Sequence, residues 1–269
     1  MRAMSRFEEN KTNILSGIVV ALALVPEAIA FAFVAHVPPL TGLYAAFILV
    51  LITSIMGGRP GMVSGASGAT AVVMVALVVT HGFEYLFAAV VLMGLLQIVF
   101  ALAKLSKYAR MIPHQVNLGF INGLAIVIFL AQLDHFKVPS ATGAEHWMQG
   151  TQLYTMIGLV ALTMLVIYLF PRLTKAFPAT LAGALVVTFV VIIFHIPTTT
   201  VGDVAHLAGG LPTFHVPNVP LDWHTLEIIF PYSLIMAANG LVETLLTLNL
   251  IDEMTDTRGK PNKESLAQG

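Results

Sequence analysis

An all-helical, multi-pass membrane fold is predicted by three features of this sequence. The chain of 269 residues is 57% hydrophobic and only 10% charged, with a mean hydropathy of +0.87. Soluble domains carry about 25% charged residues, so there is too little charge here to cover a surface in water, and much of the surface belongs in lipid. The apolar residues are gathered into runs of about 20, the length of helix that crosses the hydrocarbon core of a bilayer. The basic residues lie between those runs in an order that sorts them to one side.

Taken in order, the runs cover residues 14–35, 39–57, 62–80, 84–103, 115–135, 152–170, 178–195 and 225–251, which makes eight spans. Pro38 and Pro39, the stretch Gly57, Gly58, Arg59 and Pro60, and then Pro171 and Pro178 punctuate them, where helices are expected to end. Residues 136–151 and 196–224 hold Pro, Gly and His with few long apolar stretches, and read as loops. With a cytoplasmic N-terminus, the inner segments collect Arg2, Arg6, Lys11, Arg59, Lys104, Lys107, Arg110, Arg172, Lys175, Arg258, Lys260 and Lys263, and the outer ones only Lys137. The excess of Lys and Arg marks the cytoplasmic side, so both termini are expected there, in a cell (inner) membrane. The organisation is then a cytoplasmic N-terminus over 1–13, spans one to four over 14–110, spans five to seven over 111–195, an extracytoplasmic loop over 196–224, and span eight with a cytoplasmic end over 225–269.

The third run departs from an ordinary helix. Residues 61–71 interleave Gly61, Gly65 and Gly68 with Ser64 and Ser67, and such a stretch cannot begin a firm helix. Extended backbone at membrane depth is tolerated only when buried in protein or lining a cavity. A half-helix starting near Ser67 would aim free N–H groups and its positive dipole end inward, an anion site made of backbone. Close helix packing through Gly57, Gly61, Gly65 and Gly68 is the alternative. Residues 65–68 also match the Gly-x-Ser-Gly nucleophile motif of rhomboid intramembrane proteases. A serine nucleophile needs a base in reach, however, and the chain has no His-x-x-x-Asn and only His195 near a later span.

Glu27 and Glu243 are the acidic residues lying well inside apolar runs. A charge at mid-bilayer costs about 2.5 to 3.5 kcal/mol on the insertion scale, so each is a candidate for an ion path or for taking up a coupling cation. The bland alternative for Glu243 is a carboxylate satisfied by Asn239 or Thr247. Eight of the nine histidines fall in outer segments, without metal-ligand spacing, and read as loop residues standing in where Lys and Arg are disfavoured. The absence of cysteine excludes disulfides and thiolate metal sites, and a net charge of −1 gives no nucleic-acid signal.

Val25, Pro26, Glu27, Ala28, Ile29, Ala30, Phe31 and Ala32, then residues 38–44 and 57–60, resemble the first three spans of SulP anion transporters. So do Glu243 to Thr247, residues 252–255 and the closing stretch Asn262 to Gly269, in the right order along nearly the whole chain. The resemblance implies seven spans plus seven related as inverted repeats, of which this chain carries the first repeat and span eight, with a short extended segment before the half-helix of span three. Spans one to four and eight would form a core domain and spans five to seven a gate domain. The chain stops at Gly269, so the second repeat and the STAS domain of the family are not in it, and it is expected to be a fragment or to have the remaining half supplied otherwise.

The resemblance also implies a substrate anion lined by Glu27, Phe31, Ser67, Gly68 and Ala69, and a coupling ion at Glu243 and Thr247, with Glu27 a second coupling candidate. Family members often carry Gln where Glu27 stands, and a buried carboxylate can carry a proton. The function expected is secondary active transport of a small inorganic anion such as sulfate or bicarbonate, by alternating access coupled to H+ or Na+. An anion channel or a dicarboxylate transporter of the same fold, and an intramembrane serine protease using Ser67, are the alternatives. No catalytic residue, metal or cofactor beyond the coupling ion is expected. The partners are the anion and the bilayer, with no nucleic acid and a homodimer allowed.

Overall fold

The structure, a computed structural model, describes residues 6–106, 108, 114–139, 145–174, 177–198, 200, 210, 212 and 214–269. Among them the helices are α1 Arg6–Val34, α2 Pro39–Met56, α3 Gly68–His81, α4 Phe83–Leu102, α5 His114–Leu133, α6 Gly150–Leu173, α7 Ala179–Ile193, α8 Trp223–Thr255 and α9 Pro261–Gln268. Five of these helices are long and apolar enough to cross a membrane: α1 from Asn10, α2, α4, α6 and α8. The chain is a multi-pass membrane protein. Helix α3, at 14 residues, rises only about 21 Å and needs the irregular residues 62–67 before it to span the same depth.

Two sequence expectations need correction. Residues 136–151 are not all loop: β1 Lys137–Pro139 pairs antiparallel with β2 Glu145–Trp147, placing Lys137 opposite Trp147, whose ring lies 5.7 Å beneath the Lys137 ammonium. Short alternation around one β-branched residue was too weak a pattern to predict a strand. Pro171 does not end its helix, since α6 runs on to Leu173 and stops at Thr174. Pro26 and Pro231 likewise lie inside α1 and α8, where a lost backbone donor bends a helix without breaking it in a membrane setting.

The described residues group into two compact units. The first comprises Met1–Glu27 and Leu133–His206. In it α6 packs on α7, where a Cβ on Gly183 would already stand 3.0 Å from Ile167 Cγ1. None of the α6 residues is buried, and Tyr154, Met164 and Leu173 are largely exposed. An apolar helix with no buried face is what lipid contact allows and water does not.

The second unit comprises Ala28–Gln132 and Leu207–Gly269. Its core is the contact of α8 with α3 and α4: Leu77, Leu86, Ala89, Ile229 and Met236 form one buried cluster. The buried residues of α8 recur at three- and four-residue spacing from Thr225 through Leu248, one face of a helix. Small residues let the backbones close in: the Ser233 hydroxyl donates across to Ala89 O at 2.8 Å, and a Cβ on Gly42 would meet Ala28 O at 2.8 Å. The start of α8 is capped by Asp222, whose Oδ1 accepts from Thr225 N at 2.7 Å. That bond holds the Asp222 carboxyl below the usual carboxylate range. Nearby, Glu84 accepts from Asn218 N at 2.6 Å and meets His215 Nε2 at 3.0 Å, tying the described part of the loop before α8 to the first turn of α4.

Three helix ends use the same device. His36, His195 and Asp256 take positive φ of 55°, 49° and 48°, and the N–H of Val37, Ile196 and Thr257 then reaches back to Ala32 O, Val191 O and Asp252 O. This is the Schellman turn, which usually places glycine where these side chains stand. Holding a non-glycine residue in that region costs about 1 to 2 kcal/mol. Asp256→Gly should therefore raise unfolding stability by about 1 kcal/mol once the added chain entropy of glycine is subtracted. A thermal-shift series in detergent checks it, and an unchanged or lower midpoint would show that the Asp256 side chain makes a compensating contribution.

Candidate functional site

Helix α3 begins at Gly68 with Ser67 as its cap residue, extended at φ −120° and ψ 129°. Ser67 does not cap with its side chain. Its hydroxyl instead donates to Glu243 Oε2 at 2.5 Å, from the middle of α8. The first intrahelical bond of α3 is from Ala71 N to Ser67 O. The N–H groups of Gly68, Ala69 and Thr70 are therefore the unpaired donors that every helix start leaves over, and they stand beside a carboxylate.

Gly68 is buried because there is no room for more. A Cβ there would lie 2.7 Å from Ile128 Cδ1 and 2.9 Å from Phe31 Cε1. Phe31, half-buried on α1, thus closes over the start of α3, as Ile128 does from α5. Ala69 is half-buried and Thr70 and Ala71 are buried. Glu27 is exposed one helical turn before Phe31 on α1, and it belongs to the first compact unit where Phe31 belongs to the second. Of the residues singled out from the sequence, the structure brings together Phe31, Ser67, Gly68 and Glu243.

Thr247 stands one turn after Glu243 and is exposed, and its hydroxyl donates to the Glu243 backbone carbonyl at 2.9 Å, not to the carboxylate. The Glu243 carboxylate instead accepts from Ser67, which is 176 residues away in sequence. A half-buried carboxylate bonded to one hydroxyl and set against the positive end of a helix keeps acceptor capacity for a cation or a proton.

One residue of this region escaped the sequence reading. Gln97 on α4 is completely buried, and its amide nitrogen would stand 2.9 Å from a Cβ on Gly240, one turn before Thr244. Neither polar atom of its side chain has a protein partner among the described residues. An amide in the middle of an apolar run was the available signal.

Comparison with known proteins identifies the family and the fold. The sequence profile described as the Sulfate permease family matches residues 11–269. The chain is 46% identical over 263 residues to the putative sulfate transporter YbaR of Bacillus subtilis (strain 168), covering 98% of this chain and 52% of that protein. It is 26% identical over 284 residues to the bicarbonate transporter BicA of Picosynechococcus sp. (strain PCC 7002), covering 98% and 50%. Among solved structures, the transmembrane domain of a cyanobacterial bicarbonate transporter BicA superposes with a TM-score of 0.79 at 24% identity, over 98% of this chain and 71% of that one. That likeness shows a shared fold. The chain spans about half the length of the curated relatives it matches. The matched family and these relatives are transporters, not enzymes.

Proposed function

Since the chain belongs to the Sulfate permease family, we propose that it contributes the first half of a secondary active transporter for a small inorganic anion, sulfate or bicarbonate. The anion is held at the start of α3, by the N–H groups of Gly68 and Ala69 under Phe31, and the coupling ion, H+ or Na+, is taken up by Glu243 with Thr247 or by Glu27. Alternating access moves a core of spans one to four and eight against a gate of spans five to seven, in a cell membrane with both termini cytoplasmic. Homodimerisation is compatible with this reading.

The observation that carries the proposal is the bond from Ser67 to Glu243. It sets a carboxylate beside free helix-start donors, and such a pair is stable only if something neutralises the carboxylate when an anion arrives. Binding a cation or proton and binding an anion then favour one another, which is the thermodynamic content of symport. The protease alternative is set aside because the matched family and relatives are transporters.

Radiolabelled sulfate and bicarbonate uptake by the full-length protein in proteoliposomes, with pH and sodium gradients imposed separately, tests the reading. Accumulation that needs one of the gradients supports it, and flux that only equilibrates the anion would identify a channel. Within this assay Ser67→Ala has a specific expected effect. It deletes one hydrogen bond that favours the bare carboxylate, about 1.5 to 3 kcal/mol. A proton or cation then meets less competition there, and the coupling-ion concentration for half-maximal uptake should fall about tenfold or more. The anion half-saturation should move far less, because backbone N–H groups survive the substitution. A rise in the anion half-saturation of the same size would instead place the Ser67 hydroxyl on the anion.

A further inference from the structure

The turn after α2 is built into a polar lock on the ends of α8 and α9. Gly58 N and Arg59 N both donate to Glu264 Oε2, at 2.6 and 3.2 Å, and Lys260 N donates back to Gly58 O at 2.9 Å. The Arg59 guanidinium meets Asp252 Oδ1 at 3.3 Å and donates to Thr257 Oγ1 at 2.8 Å, to Ile251 O at 3.2 Å and to Thr255 Oγ1. Asp252 Oδ1 also accepts from Gly259 N at 2.8 Å. Arg59 is 8% exposed and Glu264 2%. A Cβ on Gly58 would stand 2.2 Å from Lys260 O, an approach that no side chain allows.

This is more polar machinery than the end of a helix needs. Burying a guanidinium and two carboxylates stabilises little in itself, since desolvation offsets most of the attraction. What such a cluster supplies is geometry, because a forked donor with several fixed acceptors has one arrangement. The geometry in question is that of the candidate site. Residues 62–67 have no regular structure, so where the cap residue Ser67 stands depends, beside its own bond to Glu243, on what holds the segment at its far end. That end is Arg59. Asp252, in turn, lies nine residues beyond Glu243 on the same rigid helix, about 13 Å along its axis.

We propose that Arg59, through Asp252 and with Glu264, is a positioning residue for the Ser67–Glu243 pair: one side chain fixes the segment leading into α3 to the helix that carries the carboxylate. The inference takes that pair as the site, as proposed above, but its test reads no transport. The chain has no cysteine, so a single thiol reports cleanly. Ala71, in the first bonded turn of α3, is 3% exposed, and Leu77, farther along, is fully buried. Ala71→Cys and Leu77→Cys are reacted separately with a water-soluble methanethiosulfonate, in the otherwise unchanged protein in nanodiscs and in the Arg59→Gln, Arg59→Lys and Gly58→Ala backgrounds.

With the lock intact both thiols should react slowly. Arg59→Gln and Gly58→Ala should each speed the reaction at position 71 about tenfold or more, the scale of losing one charge-assisted bond, and leave position 77 unchanged. Arg59→Lys, which keeps the charge but not the fork, should fall between. Gly58→Ala removes no charge, so the inference does not hang on whether Arg59→Gln folds. No change at position 71 in either background would overturn it, as would equal acceleration at 71 and 77, which is a general loosening. A protein that moves no anion yet shows the selective change at 71 would leave this inference standing and sink the proposed function instead.

Discussion

Glu243→Gln should abolish the stimulation of uptake by a coupling cation while leaving the protein folded and its anion site in place. Glutamine keeps an oxygen for the Ser67 hydroxyl, which bonds to the Glu243 carboxylate at 2.5 Å, so the geometry at the start of α3 survives and only the charge is lost. A unit charge about 4 Å from a cation, at the effective dielectric of a partly buried site, is worth about 4 kcal/mol before desolvation. Even half of that is more than tenfold in affinity, so sodium dependence should move out of the measurable range. The measurement is radiolabelled anion uptake at fixed pH over a sodium series. Sodium stimulation that persists would remove Glu243 from the cation site. Loss of pH-driven accumulation with no sodium effect in either protein would make Glu243 the proton carrier.

Glu27→Gln is expected to separate binding from energy coupling. Glutamine resembles the protonated carboxyl at every pH, so a protein in which Glu27 carries the coupled proton should still bind and exchange anion but cease to accumulate it along a pH gradient. The physical reason is that a carboxyl carries a proton only by changing its protonation state during the cycle, which an amide cannot do. Accumulation is the sensitive readout, because the loss there is complete while exchange changes little. Counterflow and pH-jump uptake on the same proteoliposomes give both. Unchanged accumulation would refute the assignment and move coupling to Glu243, so the two substitutions need to be measured against both gradients.

The lock also gives sequence features a physical role they lacked on their own. Gly57, Gly58, Arg59 and Pro60 read as a break between two runs and as part of the family resemblance, and Glu264 as one residue of the closing stretch that shares it. In the folded chain the same residues meet: Gly58 and Arg59 present two consecutive N–H groups to Glu264, across 206 and 205 residues of sequence. Nothing local distinguishes a buried Arg from a solvated one.

Hydropathy and run length are local properties, and they were enough to predict the multi-pass helical class and the approximate position of helices α1 to α8, though not of the polar α9, because a bilayer imposes one length and one polarity on whatever crosses it. Glycine and serine chemistry over residues 61–68 was likewise enough to delay the start of α3 to Gly68, since backbone cost depends on neighbours in the chain. Which groups face one another is a different matter. That Glu243 pairs with Ser67 and not with Asn239 or Thr247, that Phe31 and Ile128 leave no space over Gly68, that Gln97 lies buried against Gly240, and that Arg59 reaches Asp252 all depend on how α1, α3, α4, α5 and α8 pack. Side chains on one helix face share a spacing whether or not a partner stands opposite, so the partner is settled only when close packing brings distant helices within hydrogen-bond reach.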